Sequence, residues 1–300
     1  MKIKFSFPYD YKIMMNNKYK AKIFLGYLIF LALLIQSFQP LTADPILSFK
    51  EILKADHRSS KNKMRDKFRN PQETLEFFGV RGNETVLEIT PGMGWYTEIL
   101  APLISKEGVF YVANYSLENV IPSQHFSKRY ISLLKRVDSS YRDKLKSNPK
   151  IYSEINYVTF NPKNPIFDLK EKIDVVLTFR NIHNWSKAQT AEIIFASFFN
   201  SLKRGGTLGV VEHRAKPGTP LLKQIETGYM TENVVKNLAK KAGFRFEGSS
   251  EINKNPRDTT KHASGVWTLL PIQRGLKGQE KVEYAKIGES DRMTLKFKKP

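Results

Sequence analysis

A chain of 300 residues with 41% hydrophobic and 26% charged side chains can bury a full core, and one large domain with extensions is expected. It contains no cysteine, which excludes a disulfide framework, a thiol nucleophile and a zinc–thiolate site. A net charge of +20 would suit nucleic acid, an anionic surface or an acidic polymer, but no Lys/Arg cluster interleaved with aromatics marks a nucleic-acid face.

From the N-terminus, Lys18, Lys20 and Lys22 precede an apolar run over residues 23–35, and Ala43 stands at a suitable cleavage point. This is signal-peptide grammar, so residues 1–43 are expected to direct export to the periplasm or the medium, with an uncleaved inner-membrane anchor as the alternative. The run of 13 residues is shorter than the roughly 20 that span a bilayer, and the lack of a following cysteine excludes a lipoprotein anchor. Those 43 residues carry six lysines and one aspartate, so the rest of the chain is basic in its own right.

Residues 44–83 read as a helical extension. Asn70, Pro71 and Glu73 supply a cap, a first-turn proline and a capping-box carboxylate for a short helix that packs Leu75, Phe77 and Phe78 onto the core. Strands follow over 85–90, 109–114, 155–159, 173–178 and 207–212, interleaved with helices over 96–103, 123–146 and 188–202. That alternation predicts an α/β fold, a parallel sheet with helices on both faces, with the charged helix 123–146 on the outside. After a helix over 232–242, strands 244–251 and 265–270 have no helix between them, which predicts an antiparallel hairpin at the sheet edge.

The first strand opens into "VLEITPGMGWYTEIL", residues 86–100. A dinucleotide loop needs a third glycine where Thr97 stands, and a phosphate loop needs a lysine where Trp95 stands. What remains is an acid, Glu88, followed by Gly92 and Gly94, a pattern suited to the amino-acid end of S-adenosylmethionine. Its ammonium would pair with Glu88 and its carboxylate with exposed backbone N–H groups. Tyr96 is expected to touch the cofactor, and Trp95 to fill core.

A second constellation, "LTFRNIHNW" over 177–185, ends the fourth strand, where open α/β sheets place their chemistry. His183 could serve as the base that takes a proton from a methyl acceptor. Equally, Arg180 and Asn181 could hold loop backbone while His183 packs beside Trp185. In "VVEHRA", Glu212 could orient His183 or His213, or pair with Arg214 as scaffold. No ligand spacing of the H-x-x-x-H kind supports a metal, and none is expected.

With "PGMGWYTEILAP", "FRNIHNW", "VEHRA", "NPRDT", "GVWTLLP" and "GESDRMTLKF" in this order, the sequence resembles the class I S-adenosylmethionine-dependent methyltransferases. Within them it is most similar to a bacterial group of often exported enzymes. The resemblance covers residues 84–271 and implies a Rossmann-like seven-stranded, mostly parallel sheet with an antiparallel last strand, leaving 272–300 as a C-terminal extension. It implies S-adenosylmethionine over the ends of the first two strands, with Glu88, Thr90, Gly92, Gly94, Tyr96, Asn114, Arg180 and Asn181 as its binding residues. His183, Glu212 and His213 would then be catalytic. Two positions depart from the wider pattern: Thr90 replaces a glycine, and Asn114 replaces the acid that takes the ribose hydroxyls. Glu118 could compensate, and Asn114→Asp would be expected to tighten cofactor binding.

Enzymes acting on exocyclic base nitrogens show two prolines and an aromatic where this chain has "RNIHNW", so nucleic acid is not an expected partner. The expected acceptor is a small molecule or an envelope-linked group, with membrane association only through an uncleaved signal. Two other readings stand beside this one: a catalytically silent fold that binds a metabolite, and a basic envelope interaction protein.

Overall fold

The computed structural model describes residues 48–104 and 107–300. The expected signal segment and its cleavage point at Ala43 lie outside the described residues. Among the described residues no helix is long and apolar enough to cross a membrane.

Among the described residues four short helices come first: α1 (Phe49–Lys54), α2 (Ser60–Lys63), α3 (Asp66–Arg69) and α4 (Pro71–Phe78). The last begins at Pro71 as expected, by a different device. Asn70 sits in the left-handed region at φ 38° and makes no side-chain cap, its amide instead donating to the Ile252 carbonyl at 2.6 Å.

The sheet and its helices follow as β1 (Thr85–Ile89), α5 (Thr97–Ile104), β2 (Val109–Tyr115), α6 (Lys128–Ser147), α7 (Pro149–Tyr152), β3 (Asn156–Phe160) and β4 (Ile173–Phe179). Then come α8 (Ile182–Lys187), α9 (Ala191–Ser201), β5 (Leu202–His213), α10 (Leu221–Thr227), α11 (Glu232–Lys241), β6 (Arg245–Ser250), a 3-10 turn (Gly265–Thr268), α12 (Gly278–Ile287) and β7 (Arg292–Lys298). Seven strands lie in the order β3-β2-β1-β4-β5-β7-β6, with β7 antiparallel to both neighbours, the arrangement of the Rossmann-like methyltransferase fold.

Period-two alternation divides the core into two faces. Leu87 and Ile89 of β1 join Ile194, Phe198 and Val235 on one face, while Val86 joins Leu75, Phe78, Ile99 and Leu100 on the other. Glu88 therefore shares the face of Val86 and points toward α5. The chain leaves β1 outward through β2 and β3, then returns to β4 on the other side. The crevice above the carboxyl ends of β1 and β4 is thus the topological switch point where such sheets hold ligands.

Two expectations are corrected. The strand expected over 265–270 is a 3-10 turn, because Gly265 sits at φ 57° with the Thr227 backbone packed where any Cβ would stand. The seventh strand comes instead from Arg292–Lys298, in the stretch expected to be an extension, where Met293, Leu295 and Phe297 are all buried. The charged helix α6 is also not merely external. Tyr130, Leu134, Val137 and Tyr141 fall at helical spacing and form an apolar stripe that covers the glycine loop.

Candidate active site

Thr90, immediately after β1, sits at φ 44°, a strained backbone for a β-branched residue and the position where a glycine would be relaxed. Its Oγ1 is buried and has no hydrogen-bond partner among the described residues. Gly92 follows at φ 61°, and a Cβ there would meet nothing within 4 Å among the described residues, so the loop leaves open space above its backbone. Gly94 is different: a Cβ would stand 2.8 Å from the Tyr141 ring, so this glycine admits α6.

Thr90 and Gly92 share a cavity of about 90 Å³ with Asn114 from the end of β2, Asn181 from the β4 loop and Asn184 from α8. Tyr130, Leu134 and Val137 of α6 close it. Asn181 ties the two central strands together, its amide donating to the Ile89 carbonyl and to Thr178 Oγ1, both at 3.3 Å. The sequence-predicted residues Thr90, Gly92, Asn114 and Asn181 are thus brought together.

Others lie behind the wall. Glu88 is buried, and its Oε2 accepts from Thr97 Oγ1 at 2.6 Å. Burial raises its carboxyl to about 7, against the opposing effects of the Thr97 hydrogen bond and the Lys144 charge. Tyr96 stacks on Phe179 with ring centroids 3.5 Å apart. Trp95 fills core as expected, between the guanidiniums of Arg58 and Arg69, and its Nε1 donates to the Asn62 carbonyl.

The ribose-side departure has a structural counterpart that sequence reasoning missed. The Asn114 amide donates to Asp138 Oδ1 at 2.8 Å, and that same oxygen accepts from the Tyr157 hydroxyl. A carboxylate therefore does reach the end of β2, delivered by α6. Asp138 and Glu118 both line a neighbouring cavity of about 500 Å³, which shares Tyr115 and Leu117 with the smaller one. Asp138 gave no motif signal, being one charge among many on a charged helix.

On the other side, a cavity of about 700 Å³ shares Tyr130, Leu134, Val137 and Asn184 with the small one and adds Trp267 and Arg274. His183 packs edge-on against Trp267. Its Nδ1 lies 3.1 Å from Glu212 Oε1, while Glu212 Oε2 accepts from the Ile182 and His183 backbone N–H groups. With the proton on Nδ1 directed at Glu212, His183 Nε2 has no hydrogen-bond partner among the described residues and can accept a proton.

His213 stands 5.5 Å from His183, ring to ring, with Nδ1 at 2.5 Å from Ser290 Oγ. Burial, then the charges of His183, Arg180, Arg292 and Arg69, hold its pKa well below the usual histidine value, so it is neutral. Ligand atoms of His183, Glu212 and His213 all lie within 4.8 Å of one another, so the two histidine motifs, from different strand ends, meet in one cluster. Glu212 is already engaged by four N–H groups, since the His213 backbone N–H also donates to it, and this suits orienting a base better than ligating a metal. Arg214 is scaffold, paired with Asp291 and Glu251.

No protein-family model matches the sequence, and no curated protein matches it. Among solved structures, the chain is similar to the [4+2]-cyclase SpnF at TM-score 0.52 and 14% identity, over 82% of this chain and 86% of that one. A SAM-dependent methyltransferase from Aquifex aeolicus aligns at TM-score 0.48 and 15% identity, over 69% of this chain and 94% of that one. An arsenic(III) S-adenosylmethionine methyltransferase from Chlamydomonas reinhardtii aligns at 0.48 and 13%, over 85% and 74%. At these identities the likeness is one of fold.

Proposed function

We propose that the chain is an S-adenosylmethionine-dependent methyltransferase acting on a small-molecule or envelope-linked acceptor. One observation carries this reading: a strained Thr90, its hydroxyl buried and unpartnered, faces a cavity at the switch point next to an oriented His–Glu pair. The residues present fit the cofactor. Thr90 and Asn181 offer polar groups, Gly92 leaves the backbone accessible, and Asp138 and Glu118 supply carboxylates near the ribose position. Small-molecule sites occupy about 300–1,000 Å³, so α6 must shift from its present packing to admit it.

When bound, S-adenosylmethionine supplies an electrophilic methyl group. The protein's part is alignment and proton removal. The large cavity holds the acceptor between Trp267, Asn184 and Arg274. His183 Nε2 takes the acceptor's proton, and Glu212 fixes the imidazole orientation and stabilises the imidazolium. Trp267 and Tyr130 keep water from the reacting atoms. Export is part of the proposal, supported by the Lys18–Lys22 charges before the apolar run, and N-terminal sequencing of protein recovered outside the cytoplasm tests it.

A second reading, a fold that binds a metabolite without methylating, is favoured by Asn114, whose amide is taken by Asp138. The SpnF likeness is compatible with it, since that protein is a [4+2]-cyclase. Calorimetric titration with S-adenosylmethionine, followed by methyl labelling of an envelope extract, separates the two. Binding with labelling that His183→Asn abolishes supports the enzyme; binding without any labelled acceptor supports the second reading; absence of binding removes both.

A further inference from the structure

Four arginines converge on one carboxylate beside the histidines. Glu289 accepts from Arg65 Nε at 2.6 Å, Arg69 Nε at 3.0 Å and Arg292 Nη1 at 3.3 Å. Arg180 is the fourth, close enough that its charge acts on Glu289, Arg69 and His213. Sheet register fixes their levels. Phe179 pairs with Val211, the Arg180 N–H donates to the Val211 carbonyl at 2.7 Å, and His213 pairs directly with Arg292. Arg180 therefore lies one residue short of the level of the His213–Arg292 pair, at the ends of β4, β5 and β7.

The cluster is short of acceptors. Arg69 is fully buried with its guanidinium over Trp95, and both of its Nη groups lack a hydrogen-bond partner among the described residues. Arg292 is buried, and its Nε has no hydrogen-bond partner among the described residues. Arg180, held at φ 63°, makes no side-chain hydrogen bond or ion pair among the described residues. One glutamate balances one of four positive charges. Unpaired buried cations are costly, and such a group is retained where an anion completes it. Arg65 and Arg180 are only partly buried, which leaves the cluster open to a ligand.

We propose that Arg69, Arg180 and Arg292 form an oxyanion subsite that holds a phosphate or carboxylate group of the acceptor beside His183 and His213. Planar guanidiniums with parallel free N–H groups suit such an oxyanion better than a point cation would. The substrate class that follows is an anionic acceptor, which rests on the methyltransferase reading, whereas oxyanion binding itself does not. A neutral His213 at the edge of the subsite adds no further charge.

The test uses the full chain and calorimetric titration with inorganic phosphate, phenyl phosphate and benzoate at constant ionic strength, without cofactor. Saturable one-site binding of at least one probe is expected, weakened about tenfold or more in Arg180→Asn, a residue type that tolerates the left-handed backbone. Because Arg180 has no partner to lose, this variant should fold; Arg69→Gln is the second variant, with its folding checked by circular dichroism. No saturable binding, or unchanged binding in both folded variants, overturns the proposal. Repeating the titration with saturating S-adenosylhomocysteine distinguishes the sources. Unchanged probe affinity supports an acceptor subsite, while competition assigns the arginines to the cofactor's own carboxylate and overturns it. If S-adenosylhomocysteine does not bind at all, the methyltransferase reading fails while the probe titrations still decide oxyanion binding.

Discussion

Replacing Glu88 by glutamine separates two roles that the sequence assigns to one residue. In the folded protein burial raises this carboxyl to about 7 from an ordinary 4.5. Between those values the unfolded chain releases the proton while the folded chain keeps it, so stability falls as pH rises through that window. At about 1.4 kcal/mol per pH unit, the gap amounts to about 3 kcal/mol lost by pH 8 relative to pH 4.5. Glutamine does not titrate, and its carbonyl can still accept from Thr97 Oγ1. The variant should therefore match wild type within about 1 kcal/mol near pH 4.5 and exceed it by about 2–3 kcal/mol at pH 8. Urea unfolding midpoints across this range measure the difference. If wild type and Glu88→Gln show the same pH profile, the carboxyl does not titrate as its burial requires, and the reasoning fails. Binding reads the second role: Glu88 lies behind the cavity wall against Thr97, so cofactor affinity should be the same in Glu88→Gln and wild type, and a large loss would return the ammonium pairing to this residue.

Gly94→Ala drives a methyl group into the Tyr141 ring from a left-handed backbone, and should destabilise by about 2–3 kcal/mol in thermal unfolding, whereas Gly92→Ala meets no atom and should cost only about 1 kcal/mol while weakening cofactor binding. Glu212→Gln leaves His183 without its anionic partner and should lower kcat about 100-fold or more with little change in KM, and combining it with His183→Ala should add little further loss. Burial opposes ionisation of Glu289, but Arg69, Arg292, Arg180 and Arg65 outweigh it and hold its carboxyl at about 2, so its contribution is present above pH 4.5 and is lost as pH falls toward 2. Glu289→Gln removes that contribution and should flatten acid unfolding over this window while lowering stability at neutral pH by about 3–5 kcal/mol. Asn114→Asp, expected from sequence to tighten cofactor binding, instead places a second carboxylate against Asp138 and should destabilise by about 1–3 kcal/mol in urea unfolding.

The parallel half of the sheet was legible because its strands are mostly apolar runs, most of them separated by helices of clear period. The glycine loop and the two histidine motifs were legible because each follows a strand end, where the topology brings separate segments to one crevice. Less visible was the partner of each group. Glu88 reads as a ligand in one dimension, yet alternation along β1 turns it toward α5, where Thr97 meets it. Asp138 lies on the helix expected to be peripheral, although its Tyr130–Leu134–Val137–Tyr141 stripe marked an inward face. The seventh strand was missed because "GVWTLL" is the more apolar segment, while "RMTLKFK" hides its alternation among lysines. The arginine cluster draws on α3, the β4 loop and β7, and no local pattern announces a site assembled from three distant parts of the chain.

The placement of β7 bears on how the molecule is made. It comes last in the chain but sits second from the sheet edge, filling the gap between β5 and β6 and carrying Arg292 into the arginine cluster. During synthesis, β5 and β6 must wait with unpaired edges until residues 292–298 have emerged. The sheet between β5 and β6 therefore stays open until this interior strand inserts. Inserting β7 joins two edges at once, and a chain lacking residues 292–298 would expose both edges and a half-built binding site.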